Sequence, residues 1–362
     1  MSRLTCAAIV VGTGLTLAGH ATPQAQGQMP VLQNGRLEPR PATSIDSAVA
    51  AVGTATEPVW VGWAVPLAEH RGSLCTQWAP DLSGIPPARI EPDTPAAPAP
   101  SPPPVRLEGG ANLVVLLRLV AGRVERLRTL DDECPIDAGG RTVQWLSGIS
   151  APESVRYLDT LIRASTSTQA SAQRVALAAV AAIALHRDAA ADAPLDRLLA
   201  AEDGPEAVVR QAALWLGSAR GGHGFETLST ALGRATDSRR RRMLVTALGQ
   251  SRQPKTADAL LTLARTDPDP AIRAEAVHWY ARQASPGVLG NVMGIITGDT
   301  EDVVRRRAVS SLGLIAADSG VPALIQLART GPTPVIRKEA VSTLARTTDA
   351  RARAFLEELV ER

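Results

Sequence analysis

Residues 273–281 read RAEAVHWYA, and five other stretches of the chain follow the same pattern. The six stretches are LAAVAAIAL (177–185), VRQAALWLG (209–217), RRMLVTALG (241–249), RAEAVHWYA (273–281), RRRAVSSLG (305–313) and RKEAVSTLA (337–345). Each ends 32 residues after the previous one, with no gap between units. Such agreement is hard to obtain by chance, so the chain contains a true repeat.

Each repeat unit predicts two helices. After every quoted stretch, apolar residues continue at helical spacing, as in Leu260 with Leu263 and Leu324 with Leu327. This spacing gives a helix one apolar face. A single helix pair cannot bury that face, whereas stacked neighbours bury a continuous core. We therefore predict a mainly α fold, an α-α superhelix (solenoid) of about six helix pairs over residues 151–362.

The loops that precede two of these stretches resemble HEAT repeats. The resemblance lies in Asp267-Pro-Asp-Pro-Ala-Ile-Arg273 and in Asp299-Thr-Glu-Asp-Val-Val-Arg305, each followed by its repeated stretch. It covers about residues 151–362 and is specific for armadillo-type architecture, not for an activity. The chain looks similar to the HEAT repeat domain-containing proteins that bacteria secrete.

The resemblance implies a ladder in which loop aspartates and first-helix arginines tie neighbouring repeats together. The expected members, grouped by block, are Asp267 with Arg273, Asp299 with Arg305, and Arg337. Val209 stands where one ladder arginine is expected, and Ala235 and Gly331 stand where aspartates are expected. We therefore expect an incomplete ladder.

Residues 48–150 predict a small β-rich module. Short segments with strand character lie at 59–65, 105–107, 113–119, 124–130 and 142–146, and glycine-containing turns separate them. Segments 113–119 and 124–130 predict a hairpin. Segment 113–119 is almost wholly apolar, which predicts a central strand covered on both faces. Residues 86–104 form a proline-rich insertion, expected to be an extended surface loop or, alternatively, a docking peptide. We expect residues 22–47 to form an extended arm.

The N-terminal segment has the pattern of a secretory signal peptide over residues 1–21. Arg3 precedes an apolar run of about 15 residues, and small residues follow it. The run is short for a membrane-spanning helix. We expect an exported protein of the periplasm or cell envelope with no membrane span in the mature chain, and an uncleaved anchor is the alternative.

Removal of the signal leaves two cysteines, Cys75 and Cys134. An even number of cysteines in an oxidising compartment predicts one disulfide. The alternative is a pair of unpaired buried thiols. Neither cysteine has the spacing or the histidine neighbours of a metal or redox site, so we expect none.

Four tryptophans lie in the β-rich module: Trp60, Trp63, Trp78 and Trp145. In so small a module they are expected to form the core. Trp60 and Trp63 are three residues apart, so on a strand they point to opposite faces. We therefore expect that one of them, with Trp63 as the candidate, is exposed for contact with a partner.

The charge balance argues against nucleic acid as a partner. Lys and Arg number 38 against 36 Asp and Glu, a formal net charge of +2, whereas nucleic-acid binders carry a clear basic excess. The basic run Arg239, Arg240, Arg241 and Arg242 is a possible contact patch for an acidic partner. The alternative is that these arginines are structural or solvated.

The sequence contains no pattern that indicates catalysis. Nucleophile–base motifs, phosphate-binding loops and metal-ligand spacings are absent from it, so we expect no cofactor and no metal. We expect a non-enzymatic scaffold of the bacterial cell envelope that binds a protein or peptide on the solenoid, on a face lined by second helices. The alternative is an enzyme or enzyme accessory of the HEAT-like lyase type, with substrate bound by the N-terminal module.

Overall fold

A β-rich N-terminal region leads into a stack of paired helices. The structure is a computed structural model that describes residues 29–53, 56–69, 74–75, 88–91, 110–164, 170–201 and 203–361. The expected signal peptide, Trp78 and most of the proline-rich insertion lie outside these residues.

The main sheet has five strands in the order β2–β8–β3–β5–β6. These strands are β2 (Arg36–Pro41), β3 (Val59–Pro66), β5 (Asn112–Val120), β6 (Arg123–Asp131) and β8 (Thr142–Ser147). Strands β5 and β6 form the expected antiparallel hairpin, and β3 pairs antiparallel with β5, whereas β8 runs parallel to both β2 and β3. The apolar strand β5 is an interior strand, and its side chains alternate between two buried clusters on the two faces.

The described part of the expected N-terminal arm is built into the sheets. Strand β1 (Leu32–Gln33) pairs with β7 (Ile136–Asp137), and β2 pairs along its whole length with β8. Helix α1 (Ile45–Val52) then begins at the cap residue Ser44. The arm is extended, as its polar and proline-containing sequence indicates, but its backbone is bound to the module.

The proline-rich insertion is anchored to the module at one described point. There, β4 (Ala88–Arg89) pairs with β7, and the next residue, Ile90, is buried. The buried carboxylate of Glu91 accepts hydrogen bonds from Trp60 Nε1 at 2.8 Å and Arg118 Nε at 2.9 Å. Burial raises the pKa of Glu91, but these two donors outweigh it and hold the pKa below its usual value.

The described helices after the sheet are one leading helix and six pairs. Their bounds are α2 (Ala151–Ala164), α3 (Ala170–Leu185), α4 (Asp192–Ala200), α5 (Glu206–Ala219), α6 (Gly221–Arg234), α7 (Ser238–Leu248), α8 (Thr256–Thr266), α9 (Pro270–Ala281), α10 (Val288–Gly298), α11 (Asp302–Ser311), α12 (Ala317–Thr330), α13 (Pro334–Leu344) and α14 (Ala350–Val360). Odd-numbered helices from α3 onward carry the six repeated stretches, and even-numbered ones are the second helices. Among the helices of the described residues, none combines the length and hydrophobicity that a bilayer crossing requires.

The sequence determines where the first helices begin. Asp269 caps α9 by accepting a hydrogen bond from the backbone N–H of Ala271, and Pro270 follows at the first helical position, where its missing N–H costs nothing. Asp237 caps α7 and Thr333 caps α13 in the same way. Polar loop residues therefore start the first helices α7, α9 and α13 at equivalent positions of the repeat.

Small residues allow the first helices of successive pairs to pack closely. Ala212, Ala276, Ala308 and Ala340 occupy one repeat position, and all four are fully buried. The side chains around them belong to one continuous apolar core that runs through the stack. This core buries the apolar faces of the stacked helix pairs, and the need for that burial is the reason why a solenoid was the expected fold.

The main sheet and the first helix pair form a continuous structure. Side chains of β3 and β5 share one apolar cluster with α2 and α3. Backbone hydrogen bonds join Ala68 N to Leu185 O at 2.8 Å and Arg187 N to Pro66 O at 2.9 Å. The β-rich region therefore covers the apolar end of the helix stack, which would otherwise be exposed to water.

Candidate functional site

Cys75 and Cys134 form a disulfide. The carboxylate of Asp131 lies beside it, with Oδ1 3.3 Å from the sulfur of Cys134. If the two cysteines were free thiolates, they and the carboxylate of Asp131 would be close enough together to hold a metal ion. With the sulfurs bonded to each other, they are not thiolate donors, and Asp131 instead accepts backbone hydrogen bonds from Leu74 and Glu133.

The expectation of an exposed tryptophan in the β-rich module is wrong for Trp60 and Trp63. They point to opposite faces of β3, as the spacing predicts, but each face is covered and both side chains are fully buried. Helix α2 covers the face of Trp63, whose Nε1 donates to Ser154 Oγ at 2.8 Å. Trp63 is therefore a core residue and not part of a contact patch.

Ser154 and His186 have the spacing of a nucleophile and its base, but both are fully buried. His186 Nδ1 lies 2.7 Å from the carbonyl of Ala182, which only accepts, so Nδ1 carries the proton. His186 Nε2 is then the acceptor for Ser154 Oγ at 2.8 Å. The hydrogen bonds from Trp63 through Ser154 and His186 to Ala182 engage each of these polar side-chain atoms. They connect the sheet to the helix stack, and a substrate has no access to them.

The ladder exists, but its pairing differs from the expected one. Arg273 donates to Asp299 through Nε at 2.8 Å and Nη2 at 3.0 Å, and Arg241 donates to both carboxylate oxygens of Asp267. Each arginine thus reaches the aspartate of the following repeat, and not the aspartate of its own block. Within its own block, Arg273 Nη1 donates to the backbone carbonyl of Asp267 at 2.9 Å.

The ladder is incomplete, as expected, but its gaps fall in other rungs. Arg305, which was expected to pair with Asp299, would need an aspartate at position 331, where glycine stands, and it pairs instead with Asp302 on its own helix. Arg241, which was expected to lack a partner because Ala235 precedes it, is paired with Asp267. Arg337 donates to the carbonyl of Gly331 at 2.7 Å. With pairing between repeats, the partner position of Val209 is Ala235, so both members of that rung are replaced by apolar residues.

A cleft of about 950 Å³ opens at this missing rung. It lies between the second helices α4 and α6 and the first turns of α5 and α7, and both Val209 and Ala235 line it. Its apolar lining also includes Leu199, Ala231 and Met243. Small side chains where other repeats carry an arginine–aspartate pair explain why a cavity forms here.

The cleft is lined by four carboxylates and four guanidinium groups, so its formal charges balance. The acidic residues are engaged: Asp196 contacts His223, Glu206 pairs with Arg239, Glu226 lies 3.9 Å from Lys255, and Asp237 caps α7. Among the described residues, no carboxylate forms an ion pair with Arg210 or Arg234, which also line the cleft. The cleft therefore combines an apolar wall with free guanidinium groups.

A polar cluster at the cleft does not have the arrangement of a catalytic triad. His223 Nε2 lies 3.0 Å from Asp196 Oδ1 and 3.4 Å from Thr227 Oγ1. A triad uses one imidazole nitrogen for the carboxylate and the other for the nucleophile. Here both neighbours contact the same nitrogen, so the imidazole cannot be held by Asp196 while it activates Thr227.

The run of four arginines does not form one patch. A helix turns about 100° per residue, so four consecutive side chains point in different directions. Arg239 pairs with Glu206, Arg240 Nη2 donates to the carbonyl of Leu199 at 2.7 Å, and Arg241 is a ladder residue. Arg242 lies apart from the cleft, beside a smaller hollow between the first helices. The expected contact patch is therefore divided among three surroundings.

Sequence reasoning identified the substitutions at Val209 and Ala235 but missed their consequence. The missed step was the pairing between repeats, which places these two residues together. The signal was present, because both positions depart from the repeat in adjacent units.

The fold and the ladder define an α-solenoid of HEAT type. Comparison with protein families agrees: the model of HEAT repeats matches residues 196–281 and 291–362. These two ranges therefore contain HEAT repeats. No curated protein matches the sequence of this chain.

Solved structures with similarity to the chain include the E. coli protein YibA, at 24% identity over 46% of this chain and 63% of YibA, with a TM-score of 0.34. Kap121p has 15% identity over 53% of this chain and 25% of Kap121p, with a TM-score of 0.35. Human deoxyhypusine hydroxylase has 14% identity over 54% of this chain and 96% of that protein, with a TM-score of 0.29. The chain thus spans less than two thirds of the first two, and at these TM-scores none of the three carries weight for function.

Proposed function

We propose that the protein is a non-enzymatic scaffold that binds a protein or peptide partner in the cleft between α4 and α6. The observation that carries the proposal is the paired loss of a ladder rung at Val209 and Ala235, where an accessible cavity of about 950 Å³ opens. A pocket with an apolar wall and a few polar groups at its edge suits a side chain or short segment of a partner.

The buried Ser154–His186 pair and the geometry at His223 support a binding role over the enzymatic alternative. The first pair is inaccessible, and the second cluster lacks a separate nitrogen for a nucleophile. Failure to capture a partner would favour the alternative, an enzyme or enzyme accessory with substrate bound by the N-terminal module.

Restoration of the rung tests the proposal. The variant Val209→Arg/Ala235→Asp places an arginine and an aspartate at the positions that Arg241 and Asp267 occupy one repeat later. We expect the new pair to fill the cleft and to lower partner capture from envelope extract at least about tenfold, with the fold retained by circular dichroism. The control Val209→Thr/Ala235→Ser keeps the side chains small and is expected to capture the partner as the wild type does. Equal capture by both variants would contradict the cleft as the site.

We further propose export to the cell envelope, with the disulfide as support. Disulfides persist in oxidising compartments and are rare in the cytosol. The chain purified from the envelope is therefore expected to lack residues 1–21 and to react with a thiol reagent only after reduction. Intact mass before and after alkylation measures both properties, and a free thiol at Cys75 or Cys134 in the native protein would contradict the proposal.

A further inference from the structure

One position of the 32-residue repeat carries a cation in four of five successive first helices. The residues at this position are Arg210, Arg242, Ala274, Arg306 and Lys338. All four cations are exposed, whereas Ala274 is buried between its neighbours. Because the first helices stack side by side, a shared repeat position places these side chains in one row along the surface.

The four cations of the row have no ion-pair partner among the carboxylates that the structure describes. The acidic groups nearby have other partners: Glu275 accepts from Thr246 at 3.0 Å and Trp279 Nε1 at 2.7 Å, and Glu339 lies 3.7 Å from Arg346. The row therefore offers its positive charge to an external group.

An apolar strip accompanies the row. The position one helical turn earlier is Ala271 in α9, Val303 in α11 and Val335 in α13, and both valines are unusually exposed for large apolar residues. Between Arg242 and Arg306, the small residues Ala271 and Ala274 leave a hollow of about 360 Å³. A ligand for this face therefore needs both anionic and apolar groups.

The spacing of the row selects the conformation of the ligand. Packed helices lie about 10 Å apart. A polyproline II segment repeats every three residues with a rise of about 3.1 Å per residue, so every third side chain recurs on one face at nearly that interval. A carboxylate at every third position would meet the cations, while prolines between them would pack on the apolar strip.

We propose that the row Arg210–Arg242–Arg306–Lys338 binds an acidic, proline-containing extended segment of a partner protein. This surface goes beyond the cleft of the proposed function and shares only Arg210 with it. The substitutions in the test avoid Arg210, so the two proposals succeed or fail separately.

The test uses the mature chain and a fluorescent peptide of five Glu-Pro-Pro units. We expect saturable binding by anisotropy at low salt, weakened as salt rises, because the contacts are exposed ion pairs. The variant Arg242→Glu/Arg306→Glu is expected to weaken binding about tenfold or more. The control Arg252→Glu/Arg353→Glu changes the net charge equally at exposed arginines outside the row, and it is expected to bind as the wild type does.

Three results would overturn the proposal. The first is equal binding of a peptide with the same composition but with all five glutamates adjacent. Binding would then not depend on a match between the spacing of the glutamates and the spacing of the cations. The second is an equal loss in the control variant, which would indicate net charge alone. The third is binding of heparin or of phosphatidylglycerol vesicles, but not of the peptide, with the same dependence on Arg242 and Arg306.

Discussion

A shift from pH 7 to pH 4 is expected to lower the free energy of unfolding by about 3 kcal/mol through His186 alone. Burial lowers the pKa of His186 from its ordinary value of 6.5 to about 4 in the folded chain, and the nearby charge of Arg220 acts in the same direction. As the pH falls, the imidazole of His186 is therefore protonated in the unfolded chain before it is protonated in the folded chain. The stabilisation is complete above pH 6.5 and is lost as the pH falls through 4. Urea unfolding at a series of pH values measures it.

His186→Gln isolates this contribution. A glutamine oxygen can replace Nε2 as the acceptor for Ser154 and does not titrate. The variant should be less stable at pH 7, but its stability should fall less steeply between pH 6.5 and 4. An identical pH dependence in wild type and His186→Gln would contradict the buried neutral imidazole.

Asp267→Ala is expected to lower the free energy of unfolding by about 2–3 kcal/mol. Asp267 is almost fully buried, and its removal leaves the largely buried guanidinium of Arg241 without its bidentate partner. The backbone N–H of Asp269 also loses its acceptor, at 3.0 Å. Urea unfolding at neutral pH, followed by circular dichroism, measures the effect.

Arg239→Ala is the matched control for this prediction. It removes an arginine two residues before Arg241 on the same helix, but both members of its pair with Glu206 are exposed. Exposed pairs contribute about 0–1 kcal/mol, so the variant should unfold close to the wild type. Equal losses in the two variants would show that the ladder stabilises no more than a surface ion pair.

The repeat could be predicted from the sequence because every unit meets the same packing constraint. Buried alanines, capping aspartates and apolar faces recur at fixed positions, since each helix pair packs on a copy of itself. Local spacing therefore predicted six pairs. The same property made the substitution at Val209 visible before any contact was known, because the equivalent positions of later units carry arginine.

Contacts between distant segments could not be predicted from the sequence in the same way. The exposure of Trp63 depends on whether α2 packs over β3, and no residue near Trp63 records this. The ladder residues were identifiable from the loop motifs, but their partners lie 26 residues further along the chain, across a helix pair. The cleft at Val209 and Ala235 follows from this pairing across 26 residues, which places these two positions together.

Amide hydrogen exchange of the full chain, with and without its captured partner, tests most directly whether the cleft is the binding site. The account predicts slower exchange on binding in residues 196–210 and 226–243, the segments of α4 to α7 that line the cleft. Protection confined to other segments, or a captured partner that slows exchange nowhere in these two, would contradict it.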